Sequence, residues 1–323
     1  MTTTTSPIDA KRRLVLSFGF RDAGVFIGLV VIFAAFAALT PTFLTTPNLL
    51  NVLQQSSINA CIAIGMTLVI VSGGIDLSVG PTAALSAVIA ASLLVAGFPP
   101  SIAIMAALLT GMATGLFNGV LIAYAGLQPF IVTLGGLSLF RALALIFTGG
   151  NPIFGIPNEF RVLFTGEMLG VPNPVIIVAF LAIAAWIVLN RTPFGEYLMA
   201  VGGNGEAAHV AGVPVRRTKI IAYMISGVLA SVAALILTGR LGAAEPTMGT
   251  LWELDAIAAA AIGGASLMGG RGSIVGTILG AVILGALRNG LTLMNVQAFY
   301  QLLATGLIII VAMLIDRATK GKE

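Results

Sequence analysis

Long apolar runs, interrupted at short intervals by glycine, proline and polar clusters, organise this chain. Runs of about 17–25 residues suit helices that cross a bilayer core. The pattern predicts such helices near 24–40, 48–72, 78–96, 100–125, 128–148, 174–190, 219–240, 255–269, 273–293 and 297–315. That is about ten spans, and splitting or merging a short segment moves the count between about nine and eleven. Pro41 and Pro47, the cluster from Gly97 to Pro100, and the stretches Pro152 to Pro157 and Pro172 to Pro174 mark connections. The second run opens on Gln54, Gln55, Ser56, Ser57 and Asn59, whose amides and hydroxyls are expected to face other helices or a pore.

Composition gives the same class. Of 323 residues, 58% are apolar and 9% charged, against roughly a quarter charged in soluble domains. No soluble fold of this size hides so much apolar surface, so membrane lipid must be part of the solvent. The 39 glycines, with abundant alanine, allow helices to approach closely where packing drives association. The single cysteine, Cys61, excludes an intrachain disulfide and reads as a small core residue.

Basic residues orient the spans. Lys11, Arg12, Arg13 and Arg21 precede the first; Arg191, Arg216, Arg217 and Lys219 flank the loop after the sixth; Arg271 lies in a turn; Arg317, Lys320 and Lys322 end the chain. With ten spans all of these fall on one side, while Glu159, Glu167, Glu245 and Glu253 fall on the other with Arg161. Positive residues stay inside, so both termini are expected in the cytoplasm of a multi-pass inner-membrane protein. This topological use of charge, with a net of only +4, gives no sign of a nucleic-acid partner. The early Lys-Arg-Arg and apolar run are read as an uncleaved first helix. The expected organisation is a cytoplasmic tail over 1–23, a transmembrane domain over 24–316 with a cytoplasmic loop at 191–219, and a tail over 317–323.

The stretch Gly65 to Gly80, GMTLVIVSGGIDLSVG, holds a carboxylate between two apolar runs. Burying it costs several kcal/mol unless it is satisfied. Gly73 and Gly74 permit a tight turn, and Asp76 or Ser78 can cap the next helix. One reading is a helix cap at a membrane boundary. The other is a broken segment beside a transport pathway, where irregular backbone survives under protein or water cover.

That stretch, with NGVLIAYAGLQPFIVTLGG (Asn118 to Gly136), GEYLMAVGGNGEAAHVAGV (Gly195 to Val213) and ELDAIAAAAIGGASLMGGRGSIVGTILGAVILGALRNGL (Glu253 to Leu291), resembles the sugar-type permease subunits of bacterial ABC importers, the family serving ribose, xylose, arabinose and galactose. The likeness runs from about Asn48 to the C-terminus. It implies an all-α polytopic fold of the sugar and branched-chain permease type. It also implies a homodimer or a pair with a paralogue, a separate cytoplasmic ABC ATPase that uses the ATP, and a periplasmic or lipid-anchored sugar-binding protein. Glu206, Ala207, Ala208 and Gly212 match the first half of the loop motif that such permeases dock into the ATPase; the second half, an Ile followed by Leu-Pro, is missing. A short helix of small residues can seat in a partner's groove and transmit motion.

Further polar positions are candidates for the pathway: Asn118, Gln128, Arg288 and Asn289, with Gly73, Gly74, Asp76 and Ser78. Arg141, Arg240, Asp255 and Arg288 lie in or beside the later spans and are expected to face partners in the bundle; for Arg141 and Arg288 the readings are a structural ion pair, snorkelling to an interface, or contact with substrate. Glu253 and Asp255, at the mouth of an outer loop, are candidates for contact with the binding protein. Gly269 to Ser273 echoes Gly73 to Ser78, with two glycines, a charge and a capping serine. There is no P-loop, no H-E-x-x-H and only one histidine, His209, so ATP hydrolysis and metal chemistry are not expected of this chain. The alternative function is an ion-coupled secondary carrier, for which Asp76 and Asp255 are the available carboxylates.

Overall fold

The computed structural model describes residues 20–320. Lys11, Arg12, Arg13 and Lys322, part of the charge argument, lie outside them. In chain order the elements are α1 (Phe20–Leu39), α2 (Thr46–Val71), α3 (Val79–Val95), α4 (Pro100–Ala123), α5 (Pro129–Thr148), β1 (Ile153–Phe154), α6 (Asn158–Thr165), β2 (Glu167–Met168), β3 (Val171–Pro172), α7 (Asn173–Arg191), α8 (Pro193–Gly203), α9 (Gly205–Val210), α10 (Val215–Leu241), β4 (Ala243–Ala244), α11 (Trp252–Ile262), α12 (Ile274–Leu293) and α13 (Ala298–Lys320). Proline opens α2, α4, α5, α7 and α8, where its missing N–H is no loss. Two antiparallel ribbons clip the connections together: Ile153 pairs with Ala244 and Phe154 with Ala243, while Glu167 pairs with Pro172 and Met168 with Val171.

Among the described residues six helices, α2, α4, α5, α7, α10 and α12, are long and apolar enough to cross a membrane, and three shorter apolar stretches lie at 24–39, in α3 and at 298–308. Each run expected to span carries a helix. The run at 255–269 carries only α11, which stops at Ile262. At 1.5 Å per residue α11 is about 16 Å long, half of a bilayer core. Gly263 and Gly264 end it because the chain there presses on α12: a Cβ at Gly263 would overlap the backbone of Gly276 and Thr277. The short helices α6, α8 and α9 occupy segments expected as loops.

The bundle is arranged around α2. In its most apolar window 89% of residues are buried, against 28% in α5 and in α7, so α2 is the axis and the other two are peripheral. It packs against α7, α8, α10, α11 and α12. Ser56, Ser57 and Asn59 are buried, as their polarity within an apolar run requires of a central helix. The tightest pair is α4 with α10. A Cβ on Gly111 would overlap the Gly227 carbonyl, one on Gly115 the Tyr223 carbonyl, and one on Gly119 would lie 2.8 Å from Ile220 Cα. The spacing Gly-x-x-x-Gly-x-x-x-Gly thus puts one bare stripe of α4 against α10.

Candidate functional site

The break between α2 and α3 is built around Asp76. After Val71 the chain turns at Gly73, whose φ of +82° is a left-handed conformation that glycine adopts without strain. Asp76 is 2% exposed. Its Oδ1 accepts from the Ser78 amide at 3.0 Å and from Ser78 Oγ at 2.7 Å, and its Oδ2 accepts from Ser226 Oγ of α10 at 2.9 Å. Three neutral donors therefore satisfy the buried carboxylate. Asp76 serves the opening of α3, whereas Ser78 makes no side-chain cap of its own.

The cluster continues through Ser78. Its Oγ accepts from Asn118 Nδ2 of α4 at 2.8 Å. The Ile75 carbonyl accepts from Thr133 Oγ1 of α5 at 3.2 Å and from the Tyr223 hydroxyl of α10 at 3.3 Å. Gly74 is required here, since a Cβ would overlap that hydroxyl. One seven-residue break is thus tied to three helices. Asn118 Oδ1 is buried without a hydrogen-bond partner. Of the expected pathway residues, Gly74, Asp76, Ser78 and Asn118 come together in this cluster. Gln128 stands apart, exposed at the start of α5, and Gly73 is exposed.

Most of the remaining polar candidates find partners elsewhere in the chain. Arg288 Nη2 of α12 meets Asp255 Oδ1 of α11 at 2.5 Å, with the two side chains 26% and 5% exposed. Asn289 and Asn48 exchange two amide hydrogen bonds of 2.9 Å, joining α12 to α2. Arg141 Nη1 donates to the carbonyls of Pro246 and Met248 at 2.7 and 2.8 Å, pinning the segment before α11 to α5. Arg240 donates to Asn51 at 3.0 Å. Glu253 and Asp255, expected at a surface that meets a partner protein, are instead buried, at 8% and 3% exposure. The segment over 245–250 folds onto α3, where a Cβ at Gly249 would lie 2.7 Å from the Gly80 carbonyl.

At the far end of α8, the motif expected to dock a partner forms α9. Asn204 caps it, with Oδ1 accepting from the Ala207 amide at 3.0 Å. It closes with paired bonds from Val213 to the Ala208 carbonyl and from Gly212 to the His209 carbonyl, at 2.9 and 3.0 Å. This end motif needs a left-handed residue, and Gly212 has φ of +84°. Ala208 is buried and seats the helix; Glu206, Ala207 and His209 face outward, and Val210 is 89% exposed. An open concavity of about 1040 Å³ lies beside it, lined by Tyr124, Glu206, His209 and Val210 together with Arg216 and Arg217. Arg216 stacks over the Tyr124 ring at 5.3 Å.

Comparison with known proteins decides the family. The family described as branched-chain amino acid transport system / permease component matches residues 48–313. The chain belongs to this permease family. It is 45% identical over 309 residues to the ribose import permease protein of Bacillus subtilis (strain 168), covering 95% of this chain and 96% of that one. It is 43% identical to the ribose import permease protein of Escherichia coli (strain K12), over 97% and 98% of the two chains. To the D-allose transport system permease protein of the same strain it is 40% identical, over 91% of each. With six helices fit to cross a bilayer, this permease is a multi-pass membrane protein.

Reading the sequence missed Ser226, Tyr223 and Thr133, which complete the Asp76 cluster. No local signal marks them; they lie 57 to 150 positions away along the chain. The glycine stripe of α4 was missed as well, although its four-residue spacing is a signal that marks it.

Proposed function

We propose that this chain is the permease subunit of an ATP-driven importer and forms the pathway for a monosaccharide delivered by an extracytoplasmic binding protein. The observation that carries this is similarity along nearly the whole chain to permeases named for ribose, D-allose and galactose/methyl galactoside import, at 45%, 40% and 36% identity. A neutral, hydroxyl-rich solute needs a sparse polar lining and no deep charged site, which suits a chain with 9% charged residues.

The partners follow from what the chain lacks and presents. It has no phosphate-binding loop, so ATP is bound and hydrolysed by a separate cytoplasmic ATPase. The α9 segment, with Glu206 and Ala207 outward and Ala208 as its seat, is the docking element, and closure of the ATPases would move it. The Asp76 carboxylate is occupied by hydrogen bonds within the chain, which supports a path between two copies of the chain in place of one through this break. The distribution of Lys and Arg over about ten expected spans supports a topology with both termini in the cytoplasm. Under this reading the segment 191–219 is the cytoplasmic coupling loop.

Uptake of labelled ribose, allose, galactose and xylose into proteoliposomes tests the proposal. Uptake that requires ATP, the ATPase and the binding protein supports it. Uptake by this chain alone, driven by a proton or sodium gradient, would overturn it.

A further inference from the structure

The last turn of α8 lies where the two interrupted helical segments of the chain meet. A Cβ on Gly202 would overlap the carbonyl oxygen of Val71, the last residue of α2, and would lie 2.6 Å from the amide nitrogen of Gly270. Gly270 donates that amide to the same Val71 carbonyl at 2.9 Å. A Cβ on Gly269 would lie 2.6 Å from the Gly202 carbonyl, and one on Gly73 would lie 3.4 Å from Gly202 Cα. Three stretches of bare backbone therefore touch: the end of α2, the end of α8, and the turn leading into α12.

Each stretch leads somewhere different. Gly202 is two residues before Asn204, the residue that caps α9. Gly73 is three residues before Asp76, whose cluster holds α4 and α10. Gly269 and Gly270 lie between the end of α11 and the Ser273 that caps α12. Backbone pressed on backbone has no side-chain rotamers to absorb a displacement, and packed contacts of this kind switch between discrete arrangements instead of deforming smoothly.

We infer that Gly202 is the positioning residue through which movement of α9 reaches both breaks at once, the one at Gly73 to Ser78 and the one at Gly263 to Ser273. The inference rests on the proposed role of α9 as the element that docks the ATPase. It adds that one glycine contact drives both halves of the bundle together.

The test compares Gly202→Ala with Gly203→Ala in the reconstituted transporter with its ATPase and binding protein. A Cβ at Gly203 meets nothing within 4 Å, so that variant controls for an added methyl in the same turn. Gly202→Ala is expected to assemble with the ATPase and keep basal ATP hydrolysis. It should lose stimulation by loaded binding protein, with uptake down about tenfold or more, within the usual range of coupling effects. Gly203→Ala should match the unmodified protein. If stimulation and uptake of Gly202→Ala fall only in step with the amount of assembled complex, or not at all, the inference is wrong.

Hydrogen exchange on the unmodified complex reads the same relay without any variant, and decides the matter where Gly202→Ala does not fold. Trapping the ATPases closed should shift exchange in 71–78, 199–212 and 263–273 together. A response at 199–212 with both breaks unchanged overturns the inference and leaves the docking role of α9 standing. No response at 199–212 overturns both.

Discussion

Ser226 Oγ, in the middle of α10, donates to Asp76 Oδ2 at 2.9 Å across 150 residues of chain, and this bond fixes the break after α2 to the longest helix of the bundle. Removing the donor leaves a buried carboxylate one hydrogen bond short. Ser226→Ala is therefore expected to cost about 1–3 kcal/mol, measured as a lower midpoint of thermal unfolding in detergent. An unchanged midpoint would show that the carboxylate finds another partner.

Asp76 also separates the two modes of energy coupling. Its three donors are two hydroxyls and an amide, the surroundings of a fixed structural acceptor. Asp76→Asn keeps the shape and most of these contacts. It should retain ATP-driven uptake that an uncoupler of the proton gradient does not affect. A variant that folds yet loses uptake, in a protein whose transport also collapses with the gradient, would assign Asp76 to proton movement and favour the carrier.

Arg288 and Asp255 make a prediction in which two substitutions cost less than one. Asp255 is buried, and Arg288→Ala strands its charge. Breaking a fully buried pair costs about 3–5 kcal/mol, and less here because Arg288 is 26% exposed. Replacing both, with Arg288→Met and Asp255→Leu, removes the stranded charge and should recover much of the loss. Unfolding midpoints of the two singles and the double close the cycle. Additive losses would mean that the two residues act separately.

How far the sequence discloses this site depends on the range of each interaction. The break at Gly73 and Asp76 is legible because a carboxylate and two glycines inside an apolar run have few local explanations. Its partners are not, because Thr133, Tyr223 and Ser226 are ordinary residues in helices that reach it only after folding. Hydropathy likewise overstates α11. Ala256 to Ile262 reads as the start of a span, and only Gly263 and Gly264 signal that α12 comes too close for the helix to continue. Glu253 and Asp255 read as surface because they are charged at the edge of an apolar run. Their surroundings form only in the folded chain: Asp255 meets Arg288 of α12, and Glu253 Oε2 would lie 3.1 Å from a Cβ at Gly80 of α3.

The α4–α10 stripe is expected to tolerate no side chain. Gly111 and Gly227 each sit where the other's carbonyl leaves no room for a Cβ, so Gly111→Leu must push the helices apart. Overpacking of this kind costs about 1–3 kcal/mol or more. Gly135→Leu, on the exposed side of α5 with nothing within 4 Å, is the matched control and should leave the midpoint unchanged. Equal effects at both positions would show that added bulk in a membrane helix, and not close approach, is what matters.

The exposed face of α9 should behave as an interface while its buried residue behaves as core. Val210 is 89% exposed on a short helix that Ala208 seats against the bundle. Losing an apolar anchor of this size on binding is worth about 1.5–3 kcal/mol, or roughly ten- to a hundredfold in affinity. Val210→Ser should therefore leave the unfolding midpoint of the isolated permease unchanged and weaken its capture of the ATPase by that factor. Ala208→Leu should do the reverse at first, lowering the midpoint because the added bulk has no space beneath α9, with affinity falling only as α9 is displaced. Gly212→Ala forces a left-handed conformation on alanine, at a cost of about 1–2 kcal/mol, and should loosen the end of α9 and weaken capture with the outward-facing side chains of α9 unchanged. If Val210→Ser and Gly212→Ala both leave capture unchanged, the ATPase docks elsewhere on the chain, and the concavity lined by Tyr124 and Arg216 becomes the next surface to probe.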